Sequence, residues 1–410
     1  MQITIFLTLF IVLLSPVTYA EEGNIDAPQL HGAGDDKTGY ETNNYITNSK
    51  ALTTRVGKEA NLIAFIEQPP LGLPAVPIPS NNPITVEKIA LGRKLFYDRR
   101  LSLNNTFSCA MCHVPEQGFT HNELATSVGI EGRSGRRNNP TLYNIAYAKI
   151  LFHDGREDNL EQQVWGPLLA HNEMGNPSPG IVLRKIRALD DYNGLFENVF
   201  NKPLNMETIG MALATYQRSL NSANSPFDQW HFGQNEQAVS DQVKKGFQLF
   251  SGKANCIACH TVNKDYALFT NDLLHNTGHG FRVSTQSRPA KQMITIAPGQ
   301  TFEIDSNLFD SVSEKKPNLN KVVAHKTPTL RNVALTAPYM HDGAFKTLKE
   351  VIDFYNQGGV PNEDLDPLIK PLGLTESEAN DLLSFLNNLS GSNVDELIAD
   401  GFAAPVGDTK

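Results

Sequence analysis

Residues 109–113 read CAMCH and residues 256–260 read CIACH, and these two stretches decide the fold that we expect. In a C-x-x-C-H motif two thiols can add to the vinyl groups of a haem, while the adjacent histidine, His113 or His260, can ligate the iron. A zinc ribbon would place its cysteine pairs about 15–20 residues apart, whereas 143 residues separate these pairs. The sequence therefore predicts two covalently bound haem c groups. Their attachment residues are Cys109, Cys112, Cys256 and Cys259.

The first twenty residues are typical of a secretory signal peptide. Their apolar run, residues 3–14, is too short to span a bilayer, and small residues suited to cleavage precede position 21. No lysine or arginine precedes the run, so an uncleaved anchor is the alternative. We expect an exported, periplasmic protein with no membrane span after processing. Two disulfides would be the ordinary use of four cysteines there, but the histidine after each pair favours haem.

The composition is that of an ordinary globular chain. It has 410 residues, of which 40% are hydrophobic and 19% are charged. This length predicts two or three domains. The net charge of −9 argues against nucleic acid as a partner.

Both haem motifs belong to a longer internal repeat. Three further segments recur in the same order in the two halves, and they read GRKLF and GFQLF, PTLYNIA and PTLRNVA, and HDG twice. They are residues 92–96 and 246–250, 140–146 and 328–334, and 153–155 and 341–343. The last two pairs share an offset of 188 residues. The repeat indicates two homologous haem domains.

We therefore predict a mainly α-helical protein with two cytochrome c-like haem domains related by internal duplication. Residues 207–220 have helical periodicity, and residues 375–378 form a capping box that opens another helix. No alternating run is long enough to predict a sizeable sheet. The predicted boundaries are a signal peptide at 1–20, an N-terminal arm at 21–80, haem domains at 81–235 and 236–392, and a flexible tail at 393–410.

The repeat also allows the two iron sites to be compared. The 188-residue offset aligns Pro167 with Tyr355. A tyrosine phenolate can ligate iron, whereas proline offers no ligand atom. The comparison suggests an open first haem, held by His113 alone, and a second haem held by His260 and Tyr355. Met340 is the competing ligand, and packing is the competing role of Tyr355.

Five blocks across residues 84–390 closely resemble the bacterial di-haem cytochrome c peroxidases and their relative MauG. They read LGRKLFYDRRLSLNNTFSCAMCH, RRNNPTLYNIAY, LFHDGREDNLEQQVWGPLLAHNEMG, YQRSLNSANSPFDQW and TPTLRNVALTAPYMHDG. The resemblance implies a peroxidatic N-terminal haem domain and an electron-transfer C-terminal one. The peroxidases have methionine fourteen residues after the histidine of their Y-x-H segment. Tyr355 occupies that position here, as tyrosine does in MauG-type members.

The resemblance also implies roles for residues near the haems. Gln163, Pro167 and Glu173 match residues on the open face of the first haem, and a carboxylate such as Glu173 can take and return a proton during peroxide cleavage. A further distal histidine of the peroxidases is replaced by Ile130, which again favours the MauG-like branch. His153 stands where the family has a bridging tryptophan. Because imidazole is harder to oxidise than indole, His153 is equally a candidate for hydrogen bonding or for a structural role.

A calcium ion between the haems is also implied by the resemblance. Its ligands would be Asn138 and the backbone carbonyls of Thr336 and Pro338. Such oxygen ligands suit calcium, with waters completing its usual six to eight.

The function implied is that of a periplasmic enzyme that reacts with hydrogen peroxide at the N-terminal haem. It would share oxidising equivalents with the His/Tyr-ligated haem to oxidise a partner protein. The first alternative is a cytochrome c peroxidase that reduces peroxide to water with electrons from a small cytochrome or copper protein. The second is a non-catalytic electron-transfer cytochrome. The sequence leaves open the partner, the oligomeric state and the role of the insertion at 261–325, which contains His275 and His279.

Overall fold

The computed structural model describes residues 57–280, 291–297, 300–305 and 323–404, which belong to one compact unit. The predicted signal peptide and most of the predicted arm lie outside these residues. The fold is mainly helical, as predicted. Its α-helices are α1 (Ala64–Glu67), α2 (Val86–Tyr97), α3 (Leu160–Gln163), α4 (Trp165–Leu169), α5 (Pro179–Arg187), α6 (Leu195–Phe200), α7 (Met206–Arg218), α8 (Pro226–His231), α9 (Asp241–Ser251), α10 (Leu348–Asn356), α11 (Glu376–Asn387) and α12 (Val394–Ala403). Within the described ranges, none of the helices has the length and apolar character needed to cross a bilayer.

Short elements connect these helices. Both haem motifs begin with a single 3₁₀ turn, Cys109–Met111 in the first and Cys256–Ala258 in the second. Further 3₁₀ turns are Arg99–Leu101, Pro115–Gln117, Ile130–Gly132, Ile145–Tyr147, Asp190–Tyr192 and Val333–Leu335. Two antiparallel strand pairs complete the described secondary structure. They are β1 (Leu274–His275) with β4 (His325–Lys326), and β2 (Lys291–Ala297) with β3 (Gln300–Asp305).

Each half is built on one pair of packed helices, α2 with α7 in the first and α9 with α11 in the second. Glycine allows the close approach in both pairs. A Cβ atom at Gly92 would collide with the carbonyl oxygen of Ala212, and one at Gly246 with that of Asp381. These glycines open the matched segments GRKLF and GFQLF, so the repeat in the sequence corresponds to a repeat in helix packing.

The two PTL segments also have the same conformation. Asn144 and Asn332 are both left-handed, with φ of 61° and 59°. The Asn144 side chain accepts a hydrogen bond from the Ser222 amide at 2.9 Å, and that of Asn332 accepts one from the Gly391 amide at 2.8 Å. Each asparagine thus ties its loop to the chain that leaves the second helix of the pair.

Two hydrophobic cores follow the two halves. The first is formed mainly by buried residues between Leu62 and Ala223, and the second by residues between Phe227 and Leu389. Helix α11 buries an apolar face in the second core through Leu382, Phe385 and Leu386, and Leu389, just beyond the helix, is buried in the same core. The domain boundary at 235/236 stays a prediction.

The described part of the predicted arm is packed against the protein rather than extended. Residues 57–80 contain α1, and their buried side chains join the first core. These side chains are Leu62, Ile66, Leu73 and Val76. The five prolines between positions 69 and 79 conceal this packing in the sequence, because they interrupt the apolar residues around Leu73 and Val76.

The prediction of a flexible tail is wrong for residues 393–404. They contain α12, whose Leu397 and Asp400 are fully buried. Asp400 accepts a hydrogen bond from the Ala60 amide at 3.0 Å and forms an ion pair with Arg93 at 2.5 Å. These contacts join α12 to residues more than 300 positions earlier, so local sequence patterns could not reveal them.

We expect Asp400→Ala to lower the free energy of unfolding by about 3 kcal/mol, because it removes one partner of a buried ion pair. Of the ion-pair partners in the described residues, Arg93 would keep only Glu59, whose side chain is largely exposed. Thermal unfolding of the haem-loaded protein, followed by circular dichroism, measures the effect. Glu396→Ala, at an exposed position of the same helix, is the control. Equal melting temperatures for the two variants would contradict the prediction.

Candidate functional site

The histidines of the two C-x-x-C-H motifs have matching hydrogen-bonded environments. His113 Nδ1 lies 2.9 Å from the carbonyl oxygen of Phe119, and His260 Nδ1 lies 2.8 Å from that of Phe269. Because a carbonyl oxygen only accepts, Nδ1 carries the proton in both rings, and Nε2 keeps its lone pair. Burial lowers the pKa of both histidines, to about 4 for His260. Both imidazoles are therefore neutral and oriented to ligate a metal through Nε2.

Phe119 and Phe269, which orient these histidines, were not predicted from the sequence. Both have a left-handed backbone with φ of 52°, which is uncommon for a bulky residue. They follow their histidines by six and nine residues. This unequal spacing hides their equivalence in the sequence. The accepting groups are also backbone carbonyls, which every residue has, so the residue types do not reveal them.

None of the four cysteines, all of which lie in the described residues, forms a disulfide. Burial raises the pKa of Cys109 and Cys256 to about 12 each. In each motif the histidine amide donates to the carbonyl oxygen of the first cysteine at 2.9 Å, which holds the imidazole on the same turn as the thiols. The arrangement fits thioether attachment of one haem at each motif.

The second motif opens into a cavity of about 340 Å³. Cys256, Cys259 and His260 lie in its wall together with Tyr355 and Met340. The structure thus brings both candidate axial ligands to the predicted haem site. Burial raises the pKa of Tyr355, and the neighbouring side chains of Cys256 and Cys259 add to this shift.

Helix α10 positions Tyr355. Thr347 and Glu350 form a reciprocal capping box that fixes the start of this helix. Ile352 and Phe354 are buried, while Tyr355 lines the cavity. The aligned residue of the first half, Pro167, lies in α4. Helix α10 therefore presents a phenol where α4 presents no ligand atom.

Glu173 lies in the loop that follows α4. Its amide donates to the carbonyl oxygen of Ala170 at 3.0 Å, and its carbonyl oxygen accepts from the Ile130 amide at 2.9 Å. Burial raises the pKa of the Glu173 carboxyl, while Arg156 opposes this shift. Burial also raises the pKa of the first motif's two thiols, and the Glu173 charge adds to both shifts. The carboxyl group therefore acts electrostatically on the first haem motif.

The other two residues predicted on this face lie in the consecutive helices α3 and α4. Gln163 ends α3 and is half-buried, and Pro167 is half-buried within α4. Ile130, at the position of the peroxidases' extra histidine, is only 1% exposed and belongs to the first core. The position of that extra histidine is therefore filled by a packed apolar side chain.

His153 is a hydrogen-bonding residue between two segments. Its Nε2 lies 2.8 Å from the carbonyl oxygen of Asn138, and its own carbonyl oxygen accepts from the Lys326 amide at 2.7 Å. Burial lowers its pKa to about 4, so the ring is neutral near pH 7. Of the roles considered for His153, the geometry shows hydrogen bonding directly.

The predicted calcium ligands lie in the wall of the same cavity. They are Asn138, Thr336 and Pro338. Asn138 Nδ2 donates to the carbonyl oxygen of Ala125 at 3.0 Å, which fixes the amide so that Oδ1 is the atom that can face a cation. This oxygen-rich donor set is compatible with calcium.

Two histidines of the insertion form pairs with aspartates, which the sequence did not indicate. His275 Nδ1 lies 2.6 Å from Asp366 Oδ2, and His279 Nε2 lies 2.8 Å from Asp342 Oδ1. Both histidines line the cavity. Because 91 and 63 residues separate the members of each pair, only the tertiary fold brings them together.

Known proteins resemble this chain over most of its length. Residues 86–236 match the family model described as di-haem cytochrome c peroxidase. The methylamine utilization protein MauG of Methylorubrum extorquens is 36% identical over 317 residues, which cover 77% of this chain and 81% of that protein. The cytochrome-c peroxidase IdrP1 of Denitromonas iodatirespirans is 35% identical over 336 residues, covering 78% of this chain and 86% of that protein.

A solved structure shows the same likeness in three dimensions. It is the crystal structure of a MauG-like protein associated with microbial copper homeostasis. Its TM-score is 0.64 and its sequence identity is 31%, with 80% of this chain and 96% of the other covered. The relatives thus include both a MauG protein and a cytochrome c peroxidase.

Proposed function

The chain belongs to the bacterial di-haem cytochrome c peroxidase and MauG family of peroxide-dependent oxidoreductases, and from this membership we propose that it is a periplasmic MauG-like enzyme that oxidises a partner protein. The observation that carries this proposal is the position of Tyr355. It shares one cavity wall with Cys256, Cys259 and His260, as expected for an axial ligand of the second haem. Tyrosine at this position resembles the MauG-type members, whereas the peroxidases have methionine.

Each haem would be held by one motif, through Cys109, Cys112 and His113 or through Cys256, Cys259 and His260. When bound, the two haems supply the redox chemistry that peroxide cleavage and the storage of oxidising equivalents require. The chain contributes neutral imidazoles, whose Nδ1 protons are fixed by the carbonyl groups of Phe119 and Phe269.

Tyr355 would bind the second iron as a phenolate. Burial alone raises its pKa, which disfavours that anion, but a bound metal cation reverses the local preference. An anionic oxygen ligand lowers the reduction potential relative to methionine. Tyr355 would therefore favour retention of oxidising equivalents over rapid acceptance of electrons.

Glu173 would move the proton during peroxide cleavage. Its carboxylate would take a proton from one oxygen of hydrogen peroxide and return it to the other, which would leave as water, with the electrons supplied by the bound haem. Gln163 has no titratable proton and would only orient the peroxide. The buried setting that raises the pKa of Glu173 brings this group nearer to neutral pH, where a proton shuttle is most effective.

The second candidate function is that of a cytochrome c peroxidase. It is favoured by the 35% identity to a protein of that name, IdrP1. In this version, electrons from a small cytochrome or copper protein reduce peroxide to water. A non-catalytic electron carrier is disfavoured by membership in a family of peroxide-dependent enzymes.

Addition of hydrogen peroxide to the fully oxidised protein, without any electron donor, distinguishes the two candidates. The MauG-like function predicts a rapid change in the visible spectrum without prior reduction, and a change in mass of a periplasmic protein present during the reaction. A response only after one haem is reduced, with rapid oxidation of an added reduced cytochrome, would instead identify a peroxidase.

We also propose that calcium binds at Asn138 and the carbonyls of Thr336 and Pro338. We expect Asn138→Ala to lower the calcium content of the purified protein, because it removes the one side-chain ligand of the set. Elemental analysis relative to iron measures this content. In the unmodified protein, removal of calcium with EGTA should perturb the haem spectrum, and calcium but not magnesium should restore it. An unchanged calcium content in the variant would exclude Asn138 as a ligand.

A further inference from the structure

We propose that His279, His341 and Asp342 form a binding site for a divalent transition-metal ion such as Zn²⁺, separate from the haem irons and from the predicted calcium ligands. One potential ligand atom from each residue lies within 4.8 Å of the others. The rings of His279 and His341 are 5.3 Å apart between centroids and inclined at 70°. Two imidazoles and a carboxylate are a common zinc ligand set, with water as the fourth ligand.

For two of the three ligand atoms, only a small movement is needed to admit the ion. His279 Nε2 and Asp342 Oδ1 are 2.8 Å apart and share a hydrogen bond. Ligands at about 2.0–2.1 Å from a tetrahedral zinc ion lie about 3.3 Å from one another. The ion would therefore take the place of the shared proton once these atoms separate by about half an ångström.

The surroundings prepare these residues as ligands. Asp342 Oδ1 also accepts a hydrogen bond from the Ala344 amide at 3.2 Å, which orients the carboxylate as outer contacts do in known metal sites. His325 stacks on His341 at 3.7 Å between centroids and holds that ring in place. His279 and His341 also lie in the wall of the cavity of about 340 Å³.

The internal repeat provides a contrast within the same molecule. Asp154 is the equivalent of Asp342, and it forms ion pairs with Arg137 and Arg156 at 2.8 Å each. Those guanidinium groups neutralise Asp154 and provide no lone pair for a metal. At Asp342 the ion-pair partner is His279, which can ligate. The donor set is therefore specific to the second copy of the His-Asp-Gly segment.

Arg137 is the charge that opposes cation binding here. Burial, the neighbouring histidines and Arg137 all lower the pKa of His341, whereas Asp342 opposes that shift. Because Arg137 is paired with Asp154, part of its charge is already balanced. The negative charge of the Asp342 carboxylate, which belongs to the site itself, offsets the part of the Arg137 charge that Asp154 does not balance.

Zinc content tests the proposal on the full-length, haem-loaded protein. After treatment with EDTA, the protein is equilibrated with Zn²⁺, freed of unbound metal and analysed for zinc and iron. We expect one zinc for every two irons, and X-ray absorption at the zinc edge should show nitrogen and oxygen ligands that include two imidazoles. Excess Ca²⁺ should leave this zinc in place.

Variants locate the ion. His279→Gln and Asp342→Asn should each weaken zinc binding at least about tenfold, since each removes one ligand. His275→Gln is the matched control, because His275 is also paired with an aspartate, Asp366, but has its Nε2 bound to Asn271. Because His279 is buried, its replacement can disturb folding, and the half-buried Asp342 therefore provides the second variant. Unchanged haem spectra verify that both variants fold. Absence of stoichiometric zinc, full zinc binding by Asp342→Asn, or equal loss in His275→Gln would overturn the proposal.

Discussion

Replacement of Glu173 by glutamine is expected to slow the reaction of the oxidised protein with hydrogen peroxide by about two to four orders of magnitude, the usual contribution of a positioned acid–base group. Glutamine keeps the size of the side chain but can neither take nor return a proton. Stopped-flow absorbance after mixing with peroxide measures the rate. The haem spectrum before mixing should be unchanged, because Glu173 is not a predicted iron ligand.

The pH dependence should identify the same group. Burial raises the pKa of Glu173 above the ordinary value for glutamate, and the carboxylate is the form that accepts the proton. The rate should therefore fall as the pH decreases through this raised pKa, and the acid limb should vanish in Glu173→Gln.

Glu131→Gln is the matched control for this prediction. Glu131 lies beside Ile130, whose amide binds the carbonyl oxygen of Glu173, but its own side chain is exposed and paired with Arg133. The Glu131→Gln variant should react with peroxide at the rate of the unmodified protein. Equal rates in all three proteins, or an acid limb that persists in Glu173→Gln, would exclude the carboxyl of Glu173 from the reaction.

The sequence predicts best those features for which a particular residue type is needed at the same position in both repeats. Gly92 and Gly246 were matched as members of the repeat, and they prove equivalent because both allow helices to approach closely. Tyr355 was selected by the 188-residue offset and lies in the cavity wall on α10, while its role as an iron ligand stays a prediction. A duplicated sequence thus predicts equivalent positions without knowledge of the tertiary fold.

Backbone groups and long-range pairs were not predictable in this way. The carbonyl groups of Phe119 and Phe269 act through left-handed backbone conformations that no side-chain pattern encodes. Helix α12 depends on the pairing of Asp400 with Arg93, and the His279–Asp342 pair depends on a fold that joins the insertion to the repeat. In each case the interaction depends on the folded backbone and not on a local pattern of residue types.

Replacement of Tyr355 by methionine is expected to raise the reduction potential of the second haem by on the order of a few hundred millivolts, since axial ligands set haem potentials over about 0.8 V. A neutral thioether stabilises the reduced iron, whereas a phenolate stabilises the oxidised iron. Spectroelectrochemical titration of the purified protein measures both potentials. The potential of the first haem should change far less, because its motif lies in the other half of the protein.

Two further variants separate ligation from packing. Tyr355→Phe removes only the hydroxyl group, yet it should alter the spectrum of the second haem while both haems stay covalently attached. Tyr339→Phe is the matched control, because Tyr339 lines the same cavity but its hydroxyl donates to the carbonyl oxygen of Val333 at 3.1 Å. Met340→Leu should likewise leave the spectrum unchanged. If Met340→Leu alters the spectrum and Tyr355→Phe does not, Met340 is the ligand, and the argument for a MauG-like enzyme loses the observation on which it depends.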